Sequence, residues 1–271
     1  MPLTPDDFKK NLAQIRAAYS EASKFNNFTA LVAGESKAGK TSLLKTCRLP
    51  ILVDLFDPRG ELVLKKEIDE GKVFVRLYTD ELSKKPEQYK AWEAQWQKDL
   101  QTGFLNNFGT YCIDSATTWI QAACNEIIVR ASKAAVGKGK AHAPDQLEIQ
   151  DYTTLYNLVR DVVKMSSAQQ CDFLMTAHLL LDKDETTGEI LYDLNVFKTL
   201  KTELPLLFSE FYCMVKKAGS GDPSYKLLTN SQGRYRAGSR LASLGKIERE
   251  ENPNIKAILE KAGLSTQDKP F

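Results

Sequence analysis

The chain has 271 residues, of which 42% are hydrophobic and 27% are charged, enough for a buried core in one large domain or two small ones. Its formal net charge at pH 7 is only +2, which excludes a global electrostatic attraction to nucleic acid or to a membrane surface. The five cysteines lack CxxC spacing and no apolar run reaches membrane-spanning length, so we expect a cytoplasmic protein with reduced thiols and no membrane partner.

The first predicted element is an N-terminal amphipathic helix within residues 1–27. Phe8, Leu12, Ile15 and Tyr19 recur at helical spacing and form one apolar face. We expect this face to pack on the rest of the protein.

Apolar strands and helices alternate between residues 28 and 178. The strand-like runs are 28–34, 50–56, 72–78, 109–114 and 171–178. The helical patterns are 41–47, 86–100, 115–130 and 152–165. This alternation is typical of the α/β class, in which a mostly parallel sheet carries helices on both faces.

The pattern changes after His178. Two strand-like runs flank Thr187-Gly188 and predict a hairpin, and the runs 210–217 and 225–230 add antiparallel strands near the C-terminus. Residues 248–271 are charged and contain one short helical pattern. The sequence therefore predicts one α/β domain over residues 28–247, with the N-terminal helix before it and a charged tail after it.

The segment GESKAGKT, from Gly34 to Thr41, fits the pattern G-x-x-x-x-G-K-[ST] between a predicted strand and a predicted helix. In such a loop, backbone N–H groups and a helix N-terminus surround phosphate oxygens, which requires small and flexible residues. Lys40 adds a charge for the β- and γ-phosphates, and Thr41 offers a hydroxyl to Mg²⁺. ATP and Mg²⁺ are therefore the predicted cofactors. The predicted nucleotide-binding residues are Gly34, Glu35, Ser36, Lys37, Ala38, Gly39, Lys40, Thr41 and Ser42.

A second metal ligand is expected at the end of a neighbouring strand. Asp114 follows the strand-like run TYCI and precedes Ser115, where the next helix begins. An aspartate at a strand end, taken alone, is more often a helix cap. Because a P-loop is present, we predict that Asp114 and Thr41 together hold the metal.

Hydrolysis also needs a group that orients or deprotonates the attacking water. Asp57 and Glu61 follow the second predicted strand, at the sheet edge where open α/β sheets bind ligands. Asp57 is our candidate catalytic carboxylate and Glu61 is the alternative, whereas Asp54 lies inside the apolar run and is predicted to be structural. An ordinary Asp-Pro turn is the competing interpretation of Asp57.

His178 ends the fifth predicted strand in FLMTAH, beside the region where a γ-phosphate would lie. A polar residue there can report the state of the nucleotide by hydrogen bonding. A strand-end histidine that faces solvent is the alternative interpretation.

These segments resemble RecA-like P-loop ATPases of the compact bacteriophage-encoded type, some of which act in DNA recombination as single-strand annealing or strand-exchange proteins. The resemblance covers most of residues 28–240, through GESKAGKTS, DLFDPRGE, YCIDSATTW, LMTAHLLLDKDETTGEI and YKLLTNSQGRYRAGSR. It implies an ATPase in which Asp57 activates water and His178 senses the γ-phosphate. It also implies a basic residue that reaches the nucleotide of a neighbouring subunit, for which Arg234, Arg236 and Arg240 are the candidates.

Residues 130–142, RASKAAVGKGKAH, are predicted to form a flexible basic loop where the RecA-like fold has a DNA-facing loop. This segment contains four basic residues, Arg130, Lys133, Lys138 and Lys140, and the first acidic residue after them is Asp145. Their charges would neutralise phosphates of single-stranded DNA. An ordinary solvated loop is the competing interpretation.

The principal functional prediction is a RecA-like ATPase that acts on single-stranded DNA. It would assemble into a ring or a filament in which an arginine from residues 233–240 completes the ATP site of the adjacent subunit. A nucleotide-gated assembly protein with little turnover is the alternative, and a small-molecule kinase is a third possibility because it also uses a P-loop.

Overall fold

The computed structural model describes residues 4–22, 27–79, 82–137, 146–183, 188–217, 224–243 and 245–270. Its strands are β1 (Thr29–Gly34), β2 (Ile51–Leu55), β3 (Val73–Leu77), β4 (Thr110–Asp114), β5 (Asp172–Lys183), β6 (Ile190–Leu194), β7 (Glu210–Lys217), β8 (Ser224–Leu228), β9 (Gly238–Ser239) and β10 (Glu250–Glu251). Its helices are α1 (Pro5–Ala22), α2 (Lys40–Leu43), α3 (Lys65–Asp69), α4 (Glu87–Thr102), α5 (Ala116–Gly137), α6 (Ile149–Ser167), α7 (Lys198–Leu206), α8 (Arg240–Ser243) and α9 (Ile255–Lys261).

The strands form one sheet in the order β10-β8-β7-β1-β5-β4-β2-β3. The run from β7 to β3 is parallel throughout. The later strands β6, β8, β9 and β10 join it in antiparallel pairs. This arrangement confirms the predicted fold class, a mostly parallel α/β sheet with antiparallel strands toward the C-terminus.

Helices cover both faces of the sheet, because successive side chains of a strand point to opposite faces. Leu31 and Ala33 of β1 belong to a buried cluster with residues of α4, α5, α6 and α7. Ala30 and Val32 of β1 belong to a second cluster with residues of α2 and α9. A strand buried on both faces does not alternate polar with apolar residues, which explains the continuous apolar run ALVA in the sequence.

The parallel register brings distant residues to one edge of the sheet. Gly34 at the end of β1 lies opposite His178 of β5, and Asp114 at the end of β4 lies opposite Leu55 at the end of β2. The P-loop, His178, Asp114 and the residues after β2 therefore meet at the carboxyl edge.

The prediction that His178 ends its strand is wrong, since β5 continues to Lys183. The strand changes its partner at this point. Its pairing with β1 stops at His178, and from Leu179 onward it pairs antiparallel with β6. That pairing forms the predicted hairpin, whose residues 184–187 lie outside the described part of the chain.

The N-terminal helix forms, but its expected packing is not found. Phe8 is 56% exposed and Ile15 is 64% exposed, and Leu12 is exposed as well. The amphipathic pattern predicted a helix correctly, whereas the three described side chains of its apolar face, Phe8, Leu12 and Ile15, are exposed. No helix among the described residues is both long and apolar enough to cross a membrane.

The segment predicted as a charged tail contributes to the domain. Its β10 pairs with β8, and Ile255, Ile258 and Leu259 of α9 are buried in the cluster on the α2 face. The short helical pattern predicted in this segment is confirmed as α9, whose charged residues Glu260 and Lys261 are exposed. The boundary predicted at residue 247 therefore does not mark the end of the packed core.

Candidate functional site

The P-loop, residues 34–41, requires glycine for two physical reasons. A Cβ atom at Gly34 would lie 2.9 Å from the backbone oxygen of Met214, so β7 packs too closely for a side chain. Gly39 has φ +93°, a left-handed conformation that favours glycine. Helix α2 begins directly after Gly39 without a side-chain cap. Its first-turn N–H groups thus remain available to an anion.

Lys40 is only 5% exposed, and its ammonium group is held inside the loop. Nζ donates to the backbone oxygens of Gly34 and Glu35, each at 3.0 Å, and lies 3.3 Å from Nδ1 of His178. Burial lowers the pKa of Lys40, opposed by the negative charges of Asp114 and Asp57. These contacts hold the ammonium where phosphate oxygens could replace the carbonyl groups.

Thr41 and Asp114 lie in direct contact. The Thr41 hydroxyl donates to Oδ2 of Asp114 at 2.7 Å, and Thr176 donates to the other carboxylate oxygen. Burial raises the pKa of Asp114, opposed by these two hydrogen bonds. One carboxylate and one hydroxyl fit Mg²⁺, which keeps several waters and completes its shell with substrate phosphates. Among the described residues no cluster of three or more His, Cys, Asp or Glu could hold a metal unaided.

Asp57 is joined to Lys40 through one imidazole ring. Nε2 of His178 lies 2.7 Å from Oδ2 of Asp57. Because an ammonium can only donate, Nδ1 of His178 accepts from Lys40, and Nε2 carries the proton and donates to Asp57. Burial opposes ionisation of Asp57, yet hydrogen bonds from His178 and Thr118 lower its pKa below the ordinary value. The side chain of Asp57 is therefore in its ionised, carboxylate form.

A cavity of about 600 Å³ opens over the P-loop, a size suited to a small-molecule ligand. Its lining residues are Ser36, Lys37, Gly39, Lys40, Thr41, Ser42, Leu43, Asp57, Pro58, Arg59, Gly60, Val63, His178, Met214, Tyr225 and Pro253. Glu61, the alternative to Asp57, is not among these described lining residues. The structure thus brings together Lys40, Thr41, Asp57 and His178 at one cavity.

Several lining residues were not named as site candidates from the sequence. Arg59 follows Asp57-Pro58 directly, so its place after β2 was a usable signal. Tyr225 belongs to β8 and begins the segment YKLLTNSQGRYRAGSR, but nothing in that segment singled it out, and Pro253 lies before α9, outside any motif. Only the packing of those elements against the P-loop reveals them.

The candidate arginines do not line this cavity. Arg234 and Arg236 flank Tyr235 at a tight turn closed by reciprocal backbone hydrogen bonds between Gln232 and Tyr235. Gly233 supplies the positive φ that this turn requires. Arg236 donates to Asp193 at 3.1 Å. Arg236 and Arg240 instead line a separate cavity of about 400 Å³.

The predicted basic loop is helical over much of its length. Helix α5 extends to Gly137, because the alanine-rich run ASKAAV favours a helix. Arg130 donates to Glu126 and Glu93, whereas Lys133 is exposed. Lys138 and Lys140 lie outside the described residues.

Comparisons with known proteins give little beyond this geometry. No family model matches the chain, and no curated protein matches it. Among solved structures, the flagellar accessory protein FlaH from Methanocaldococcus jannaschii is similar at 11% identity and a TM-score of 0.41, over 82% of this chain and 83% of its own. A KaiC-like protein from Pyrococcus horikoshii is similar at 10% identity and a TM-score of 0.41, over 74% and 77%.

Proposed function

We propose that the protein binds ATP with Mg²⁺ and hydrolyses it as a RecA-like P-loop ATPase. The observation that carries the proposal is the 2.7 Å contact between the Thr41 hydroxyl and the Asp114 carboxylate, beside the buried Lys40. A P-loop lysine, a hydroxyl and a strand-end carboxylate are the groups that position a triphosphate and its metal. All three lie at the 600 Å³ cavity or directly beneath it.

Each residue has a defined part in this proposal. Lys40 exchanges its bonds to the Gly34 and Glu35 carbonyl groups for bonds to the β- and γ-phosphates. Thr41 and Asp114 hold Mg²⁺, which when bound neutralises charge on the phosphates. Asp57 orients the attacking water and takes its proton. His178, between Asp57 and Lys40, is placed to respond when Lys40 moves to the phosphates.

The test of nucleotide binding replaces Lys40. Lys40→Ala should weaken binding of Mg·ATP about ten- to hundred-fold, because charge-assisted hydrogen bonds to the phosphates are lost. Isothermal titration calorimetry measures this loss, and steady-state phosphate release measures turnover. Lys98→Ala, which removes an exposed lysine of α4, is the matched control and should behave as the wild type. Unchanged binding and turnover in Lys40→Ala would refute the assignment.

The finer part of the proposal is that the protein uses ATP hydrolysis to act on single-stranded DNA in the host cytoplasm. The process would be recombination or annealing of the bacteriophage type. It is supported by the sequence resemblance and by the exposed Lys133 near Lys138 and Lys140 in the chain. Arg130 supports it less than the sequence predicted, since Glu93 and Glu126 engage its guanidinium. We expect single-stranded DNA to stimulate ATP turnover, and we expect the stimulation to weaken as the salt concentration rises. Nucleotide-dependent oligomers without turnover would indicate an assembly protein, and turnover only with a metabolite would indicate a kinase.

A further inference from the structure

We propose that Thr118 and Ser115 are positioning residues that orient the Asp57 carboxylate toward the attacking water. This inference rests on the proposed ATPase function and deepens it, since it says how the candidate base is held. Thr118 was not singled out by any sequence motif. Its importance follows from the contact that it makes across the sheet edge.

Both hydroxyl groups bind the same oxygen of Asp57. Ser115 Oγ lies 2.8 Å and Thr118 Oγ1 lies 2.7 Å from Oδ1. Thr118 Oγ1 also lies 3.1 Å from the backbone oxygen of Ser115, but the carboxylate is nearer and charged, which makes it the stronger acceptor. Asp57 N–H donates to the backbone oxygen of Asp114 at 3.2 Å. Both the backbone and the side chain of Asp57 are thus hydrogen-bonded to the junction between β4 and α5.

This arrangement makes the two carboxylate oxygens inequivalent. Rotation of an aspartate carboxylate about its last side-chain bond is normally broad. Two donors on Oδ1 restrict that rotation and leave Oδ2 to His178, which also lines the cavity. Oδ2 is therefore the oxygen that accepts a proton from water, once His178 releases it.

The same junction explains why Asp57, and not Glu61, is the base. Asp57 lies at the N-terminal end of the 22-residue α5, whose first turn contains no acidic residue. A carboxylate is favoured in that position. Glu61 lies in the 3-10 helix Gly60–Leu64, and the hydroxyl groups of Ser115 and Thr118 donate to Asp57 instead.

The test separates positioning from structural support. Thr118→Val keeps the side-chain shape and removes the donor, and we expect kcat to fall roughly ten- to hundred-fold, as is typical when a reacting group is slightly misplaced. The Kd for Mg·ATP should stay within about twofold, because Thr118 does not line the cavity among its described residues. Thr118→Ser restores the hydroxyl and should recover most of kcat. Thr153→Val makes the same change at an exposed threonine of α6, and it controls for any effect of valine on helix stability.

Ser115→Ala provides a second variant, so the inference stays testable if Thr118→Val does not fold. Its kcat should also fall while Kd is retained. Wild-type kcat in every folded variant that lacks a hydroxyl would overturn the positioning role alone. A Kd that rises in step with the fall in kcat would also overturn it, because the hydroxyl groups would then support nucleotide binding. A wild-type protein that binds ATP without turnover would refute the proposed hydrolysis together with this inference.

Discussion

Asp54 shows that neighbouring carboxylates on one strand end can have different roles. Its oxygens accept hydrogen bonds from Arg76 at 2.6 and 3.0 Å, from Trp92 at 2.9 Å and from Tyr111 at 2.7 Å. Burial raises the pKa of Asp54, opposed chiefly by the charge of Arg76. Asp54 is fully buried and faces this network, whereas Asp57 lines the cavity. Its place in the structure agrees with the structural role expected from the sequence.

Replacing Asp54 should therefore reduce stability. Asp54→Ala leaves the guanidinium of Arg76 without its main partner, and we expect a loss of about 3–5 kcal/mol in the free energy of unfolding. Urea denaturation measures it. The control is Asp69→Ala, which breaks an exposed ion pair with Lys65 and should cost at most about 1 kcal/mol. Equal losses in the two variants would contradict the assigned role.

Among the secondary-structure elements, α9 links the end of the chain to the site. Asn254 caps the helix by accepting from the N–H of Ala257, and the N–H of Ile255 donates to Thr46 just after α2. The same segment brings Pro253 to the wall of the P-loop cavity. The packing of α9 therefore fixes part of the candidate nucleotide site.

The contribution of α9 can be measured through its buried face. Ile258 is 1% exposed, and Ile258→Ala should lower the free energy of unfolding by about 2–5 kcal/mol, because it removes buried methyl groups and leaves a cavity. Chemical denaturation followed by circular dichroism gives the value. Glu260→Ala changes an exposed position of the same helix and should lie within about 0.5 kcal/mol of the wild type. A cost for Ile258→Ala no larger than that of this control would mean that α9 is not part of the cooperative core.

At the scale of the whole molecule, the arginine turn, residues 232–236, lies beside the P-loop without entering its cavity. Tyr235 donates to Glu35 of the P-loop at 3.2 Å and stacks on Tyr192 of β6 with a centroid separation of 4.7 Å. Arg240 begins α8 and is exposed. We propose that one of these arginines serves the ATP site of an adjacent subunit, since none lines the cavity of its own chain among the described residues.

A mixing experiment tests this shared site. Lys40→Ala subunits are combined with Arg236→Ala or Arg240→Ala subunits, each inactive or weakly active alone. A mixed interface that pairs an intact P-loop with an intact arginine should recover part of the ATPase activity, because an arginine in trans accelerates hydrolysis roughly a thousand-fold or more in P-loop systems. Phosphate release at fixed total protein measures the recovery. Absence of recovery with both arginine variants would exclude a shared site built on Arg236 or Arg240.

Local features of the chain were sufficient to predict the α/β class and the P-loop. A buried parallel strand has a continuous apolar run, and a phosphate-binding loop needs glycine at fixed positions. Both features can therefore be recognised in a short run of consecutive residues. The same applies to Lys40 and Thr41, whose places depend on the loop alone. Asp114 could be named because it stands at the end of one such strand.

Contacts between distant segments decided the rest. The strand that contains His178 extends to Lys183 because β6 offers it a new partner. Asp57 is distinguished from Glu61 by Ser115, Thr118 and His178, which approach it from 58 to 121 positions away in sequence. Pattern in one segment cannot encode these contacts, because hydrogen bonds and burial depend on which element lies opposite, and that is determined only when the sheet and its helices pack together.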